Sequence, residues 1–115
     1  MDRDNFRMLV NYGKWARYFG CKGYPTNTKH YQSYVITDEQ ALFIDAKLGE
    51  IKKRAKGYYL IFALYFIHGI EAKQLKTELS RIAPVYANDY KSFTASDFEA
   101  LIDRMGDFIF RNESK

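Results

Sequence analysis

Few side chains in this sequence can act as nucleophile, proton shuttle or metal ligand, and their spacing isolates them. Its histidines are His30 and His68, and its one cysteine is Cys21. A metal site needs several such ligands converging, and a cysteine becomes a nucleophile only beside a base or in a field that lowers its pKa. No local pattern joins Cys21 to His30, so the thiol reads as buried or inert. His68, at the end of an apolar run, reads as a capped or core residue. The carboxylates Asp38, Glu39 and Asp45 fall on an expected helix where capping occupies such groups. Gly20 and Gly23 precede Tyr24-Pro25 with neither the lysine of a P-loop nor a Rossmann pattern. The expectation is a protein that is not an enzyme and takes no metal and no cofactor.

The chemistry that remains is electrostatic. The 115 residues carry 18 Lys and Arg against 14 Asp and Glu, a net charge of +4. The excess is uneven: residues 1–36 hold six basic and two acidic groups, whereas residues 84–115 hold four and six. Lys22, Tyr24, Lys29, His30, Tyr31 and Tyr34 lie in one stretch, and cations interleaved with aromatic rings suit phosphates and stacked bases. The same stretch also fits a long loop whose tyrosines pack on the helices beneath it. Aromatic residues make up 17% of the chain, which equally suits a small core built from large pieces. Lys52, Lys53 and Arg54 crowd the end of an expected helix, where they either stabilise its dipole or meet a phosphate or an acidic partner. With Arg17, these residues (Lys22, Tyr24, Lys29, Tyr31, Lys52, Lys53 and Arg54) form the candidate partner-binding set.

The elements that position these groups read as helices. Met8, Tyr12, Trp15 and Phe19 share one face of a helix over Asp4–Phe19. Thr37 with Gln40 forms a capping box opening a second helix, whose buried stripe is Ala41, Ile44, Leu48, Ile51 and Ala55 and which Gly57 closes. Tyr58 to His68 is apolar on nearly every side, and its length between Gly57 and Gly69 favours a buried helix. Glu71–Ala83 follows as a short amphipathic helix with Ala72, Leu75, Leu79 and Ile82 inward, stopped by Pro84. Val85–Phe93 reads as an irregular connector. A last helix starts near Thr94 or Ser96, with Ser96 and Glu99 as a second capping box. Its inward stripe is Phe98, Leu101, Ile102, Met105, Phe108 and Ile109. The expected fold is all-α, a compact bundle of about five helices in a single domain over residues 1–115. One cysteine forbids an internal disulfide, and the longest apolar run, Tyr58 to Ile67, is too short to span a bilayer. With no signal-like leader at Met1–Arg7, the expected location is the cytoplasm, away from membranes.

The C-terminal half, about residues 58–110, runs helix, glycine turn, helix, connector, helix. This is the order of helix-turn-helix domains that place a helix in the DNA major groove. Lys73, Lys76, Arg81, Lys91 and Arg104 are candidate phosphate contacts, and Ser96 opens the helix in the recognition position. A family resemblance accompanies this order. Gly13-Lys14-Trp15-Ala16-Arg17, Gly23-Tyr24-Pro25, Thr37-Asp38-Glu39-Gln40-Ala41 with Ile44-Asp45 and Leu48, and Tyr65-Phe66-Ile67-His68-Gly69-Ile70 with Lys73 and Leu75 carry it. Over about residues 8–80 the chain resembles the phage late-gene antitermination proteins Q of the lambdoid phage 21 type. Their helix-turn-helix is similar to region 4 of bacterial sigma factors. The resemblance implies a factor that binds double-stranded DNA near a late promoter. It further implies engagement of bacterial RNA polymerase paused with sigma factor and a narrowed RNA exit channel, so that terminators are read through. It places Lys73, Lys76, Arg81 and Arg104 towards DNA, and the basic N-terminal face and aromatic loop towards polymerase or nascent RNA. Two other readings stay open. One is a small phage or bacterial module that binds a host protein and no DNA, favoured by the acidic last quarter. The other is a plain helix-turn-helix repressor, for which no dimerisation segment is evident.

Overall fold

The computed structural model describes residues 1–20 and 36–111. The fold is an all-α compact bundle of six helices, with no strand among the described residues. In chain order these are α1 (Arg3–Gly20), α2 (Asp38–Arg54), α3 (Lys56–Phe62), α4 (Leu75–Ile82), α5 (Pro84–Ala87) and α6 (Ala95–Phe110). One hydrophobic cluster draws on all six, from Leu9 and Tyr12 of α1 to Ile109 and Phe110 of α6. Phe62 and Phe98 are fully buried within it. Burying a side chain of that kind contributes about 1.5–3 kcal/mol.

Each helix end has a local cause. Thr37 accepts from the Gln40 amide at 3.0 Å while the Gln40 side chain accepts from the Thr37 amide at 3.1 Å, so the expected capping box is present. At α6 the box is instead Thr94 with Asp97, not Ser96 with Glu99. The inward stripe is the one expected, with Phe98, Leu101, Ile102, Met105 and Ile109 buried. Gly57 does not close α2. The helix ends at Arg54, Ala55 makes a one-residue corner (φ −151°, ψ 78°), and Gly57 lies buried inside α3. Ala83 repeats that corner between α4 and α5 (φ −149°, ψ 70°), and Pro84 starts the new helix where its missing N–H is harmless. The expected irregular connector is therefore ordered as α5 and a 3₁₀ turn, Asn88–Tyr90, with Ala87 and Tyr90 buried.

The buried stripe of α1 is rotated from its sequence reading, whereas those of α2 and α4 hold except at their last residue. In α1 the innermost residues are Leu9, Tyr12 and Gly13, with Met8 and Trp15 half-buried. In α2, Ala41, Ile44, Leu48 and Ile51 are buried, but Ala55 at the corner is only half-buried. In α4 and the turn before it, Ala72, Leu75 and Leu79 turn inward whereas Ile82 is exposed.

The contact between α1 and the end of α3 is the tightest in the bundle. After Phe62 the helix widens into a π-helical turn, Ala63–Ile67, and the His68 amide bonds back to the Ala63 carbonyl at 3.1 Å. Gly13 meets this turn: a Cβ there would sit 1.8 Å from the Phe66 carbonyl oxygen. Gly69 (φ +71°) then turns the chain towards α4 in the left-handed region open to glycine. Two polar contacts tie α1 to α2. The Tyr12 hydroxyl donates to Asp45 at 2.7 Å, and the Trp15 indole donates to Asp38 at 3.2 Å.

Gly13→Ala is expected to destabilise the fold by about 1–3 kcal/mol through overpacking. Gly49→Ala, in open space on α2, should stabilise by about 0.5–1 kcal/mol. Urea unfolding of the two variants beside the parent checks both signs. Burial raises the Tyr12 hydroxyl above its ordinary range, aided by the Asp45 carboxylate, and pushes Tyr90 up to about 12. The folded state thus holds these protons more tightly than the unfolded chain, whose tyrosines titrate near 10. Their contribution is complete below about pH 10 and is lost as pH rises to about 12 and beyond. Thermal melts across that window should fall more steeply for the parent than for Tyr90→Phe.

Candidate functional site

Most of the candidate cations that the structure describes fall in three places. The first is α4. A 3₁₀ turn, Ala72–Gln74, leads into the helix, and the inward Ala72, Leu75 and Leu79 leave Lys73, Gln74, Lys76, Thr77, Ser80 and Arg81 in solvent. Lys76 Nζ donates to the Lys91 carbonyl at 2.9 Å, so these two candidate phosphate contacts are brought together across the α5 connection. Arg81 donates through Nη2 and Nε to Glu78 at 2.7 and 3.2 Å. Lys73 stands 3.6 Å from Glu71, and with both groups exposed that pair holds neither firmly.

The second place is a groove of about 640 Å³ between α1, the end of α3 and the start of α6. Phe6, Val10 and Phe66 supply apolar lining, and Lys14, Arg17 and Lys73 face Glu71 and Glu99 around it. Arg17, expected to meet a partner, donates Nε to the Ile67 carbonyl at 2.7 Å, at the end of the π-helical turn. Burial lifts the Tyr65 hydroxyl above its ordinary range, and Glu99 adds to the effect. Lys14 has no polar partner among the described residues and was missed as a site residue. Its spacing of three from Arg17, one helical turn along the same face, was the available signal.

The third place joins α2 to α6. Lys52 lies over the Tyr59 ring at 5.1 Å, and Lys53 and Arg54 are exposed at the end of α2. Arg54 and Arg104 line one slot, with Ile51, Tyr58, Leu101, Met105 and Phe108. The structure therefore sets Arg104 beside a member of the expected partner set, in a different hollow from Lys73. Ser96 is exposed in the first turn of α6, and besides Arg104 the charged groups that helix shows solvent are Asp97, Glu99, Asp103 and Asp107. Lys22, Tyr24, Lys29 and Tyr31, with Cys21 and His30, lie outside the described residues. His68 is not a core residue: it is exposed, at the cap of the π-helical turn. Asp38 and Asp45 accept the α1 bonds described above. Among the described residues no three His, Cys, Asp or Glu side chains gather as metal ligands. None of the described helices is long and apolar enough to cross a membrane.

Arg17→Met is expected to lower stability by about 1 kcal/mol by removing the bond to Ile67. Lys14→Met, with nothing to lose in the fold, should stay within about 0.5 kcal/mol of the parent in the same urea titration. No family model matches this chain, and neither a curated protein nor a solved structure matches it.

Proposed function

We propose that this chain is a phage transcription antitermination factor. In this reading it contacts duplex DNA near a late promoter through the solvent face of α4. It then holds bacterial RNA polymerase through its other cationic surfaces and carries it past terminators. The observation that carries the DNA half is the composition of α4 and the 3₁₀ turn that leads into it: Lys73, Lys76 and Arg81 alternate with Gln74, Thr77 and Ser80 along this segment just after the Gly69 turn. Lysine and arginine supply the sequence-independent attraction to phosphate, and short polar side chains between them can reach base edges. The solvent face of α6, acidic apart from Arg104, suits phosphate less well, which favours α4 and the Lys91 turn for this contact. The Q-type resemblance over residues 8–80 supports the polymerase half.

A second reading, a protein-binding module without DNA contact, is favoured by that same face of α6, where Glu99 stands in solvent beside Asp103 and Asp107, which flank the Met1 ammonium. A gel shift on promoter duplex at two salt concentrations separates the two. Binding is expected at low salt, and Lys73→Ala with Lys76→Ala should flatten the salt dependence by about one unit of slope per lysine. Absence of a shift even at low salt overturns DNA contact and leaves the second reading. Read-through of a terminator by purified polymerase with the added protein then tests antitermination itself.

A further inference from the structure

The slot between α2 and α6 is a built surface that DNA contact through α4 does not use. Its volume is about 250 Å³, room for only a couple of large apolar side chains. Its lining is mostly apolar, from Ile51 and Ala55 on one side to Leu101, Met105 and Phe108 on the other, with Tyr58 half out in solvent. Met105 gives the floor a side chain that adapts its shape to what enters. Arg54 and Arg104 stand on the lining, and neither has a hydrogen-bond or ion-pair partner among the described residues. Lys47 adds a third cation, 5.7 Å from the Phe108 ring. Glu50 is the one carboxylate on the described lining.

An apolar slot edged by free guanidinium groups is complementary to a ligand that is apolar along one face and acidic beside it. We infer that this slot docks an acidic amphipathic helix of a partner protein. Apolar side chains one turn apart enter between α2 and α6, and flanking carboxylates meet Arg54 and Arg104 in forked hydrogen bonds. Nucleic acid fits less well. Its phosphates have no use for the aliphatic floor, and the Phe108 ring on which a base would stack already carries Lys47 and Arg111. This inference rests on the partner-holding half of the function proposed above and is independent of the DNA-contacting half.

The test titrates the full chain into a fluorescein-labelled synthetic helix-forming peptide with Leu and Phe at i, i+4 and i+7 and Glu elsewhere. Comparison probes are a scrambled peptide of the same composition and a labelled DNA duplex. The expected result is saturable binding of the designed peptide only, with methyl resonances of Ile51, Leu101 and Met105 shifting. Combining Arg54→Glu with Arg104→Glu, both at exposed positions, should weaken it about tenfold or more while circular dichroism stays unchanged. Equal binding of the scrambled peptide, or an unchanged affinity in the double variant, overturns the inference. So does duplex binding that shifts those methyls in place of the peptide, which makes the slot a nucleic-acid site. Self-association of the parent that the double variant abolishes overturns it too, by making a second copy the occupant. The duplex gel shift on the Lys73 and Lys76 variants is read separately, so failure of either half is recognisable by itself.

Discussion

The bundle depends on the place where the backbone of α1 touches the π-helical turn that ends α3. Helices are usually held apart by side chains, and their axes lie about 8–10 Å from each other. At Gly13 there is no side chain, and the helix settles directly against the Phe66 carbonyl. That carbonyl belongs to a π-helical turn at a helix end, where the last carbonyl oxygens have no donor within the helix. Arg17 answers one of them at Ile67, and the Ile70 amide answers another at Leu64. The direction in which Gly69 launches the chain, and with it the position of α4, follows from how that turn is finished. The Tyr12–Asp45 and Trp15–Asp38 bonds then hold α2 to the opposite side of α1.

With that frame set, the surface sorts by charge. The solvent face of α4 is basic, that of α6 is acidic apart from Arg104, and the ends of α2 and α6 share an apolar slot between arginines. A modest net charge hides this separation, because opposite faces cancel in the sum without cancelling in space. Association with a large charged partner is steered by the local field, not by the total.

The parts of the fold that were legible in the sequence are those governed by short-range rules. Thr37 and Gln40 announce their capping box because both partners lie within one turn. The apolar positions of α6 announce its inward face because every one of them must be buried against something. Ala87 and Tyr90 gave no such signal: a four-residue helix between Pro84 and a 3₁₀ turn shows no period, and only packing against the rest of the core orders it. The rotation of α1 was hidden for a related reason. Gly13 carries no hydrophobicity for a pattern to register, yet it occupies the most crowded position on the helix. Among the candidate site residues, the basic character of α4 could be read directly. The pairing of Arg104 with Arg54 could not, since it joins residues fifty positions apart through tertiary packing alone.

The corner at Ala55 has one more effect. Cations at a helix C-terminus are ordinarily absorbed by the partial negative charge of its last carbonyls. Here the next helix begins one residue later, so the partial positive charge at the start of α3 lies against the end of α2. Opposite partial charges at the two helix ends oppose each other's pull on nearby side chains. Lys53 and Arg54 therefore face outward with little hold from the helix ends, and Lys52 is kept by the fold through the Tyr59 ring.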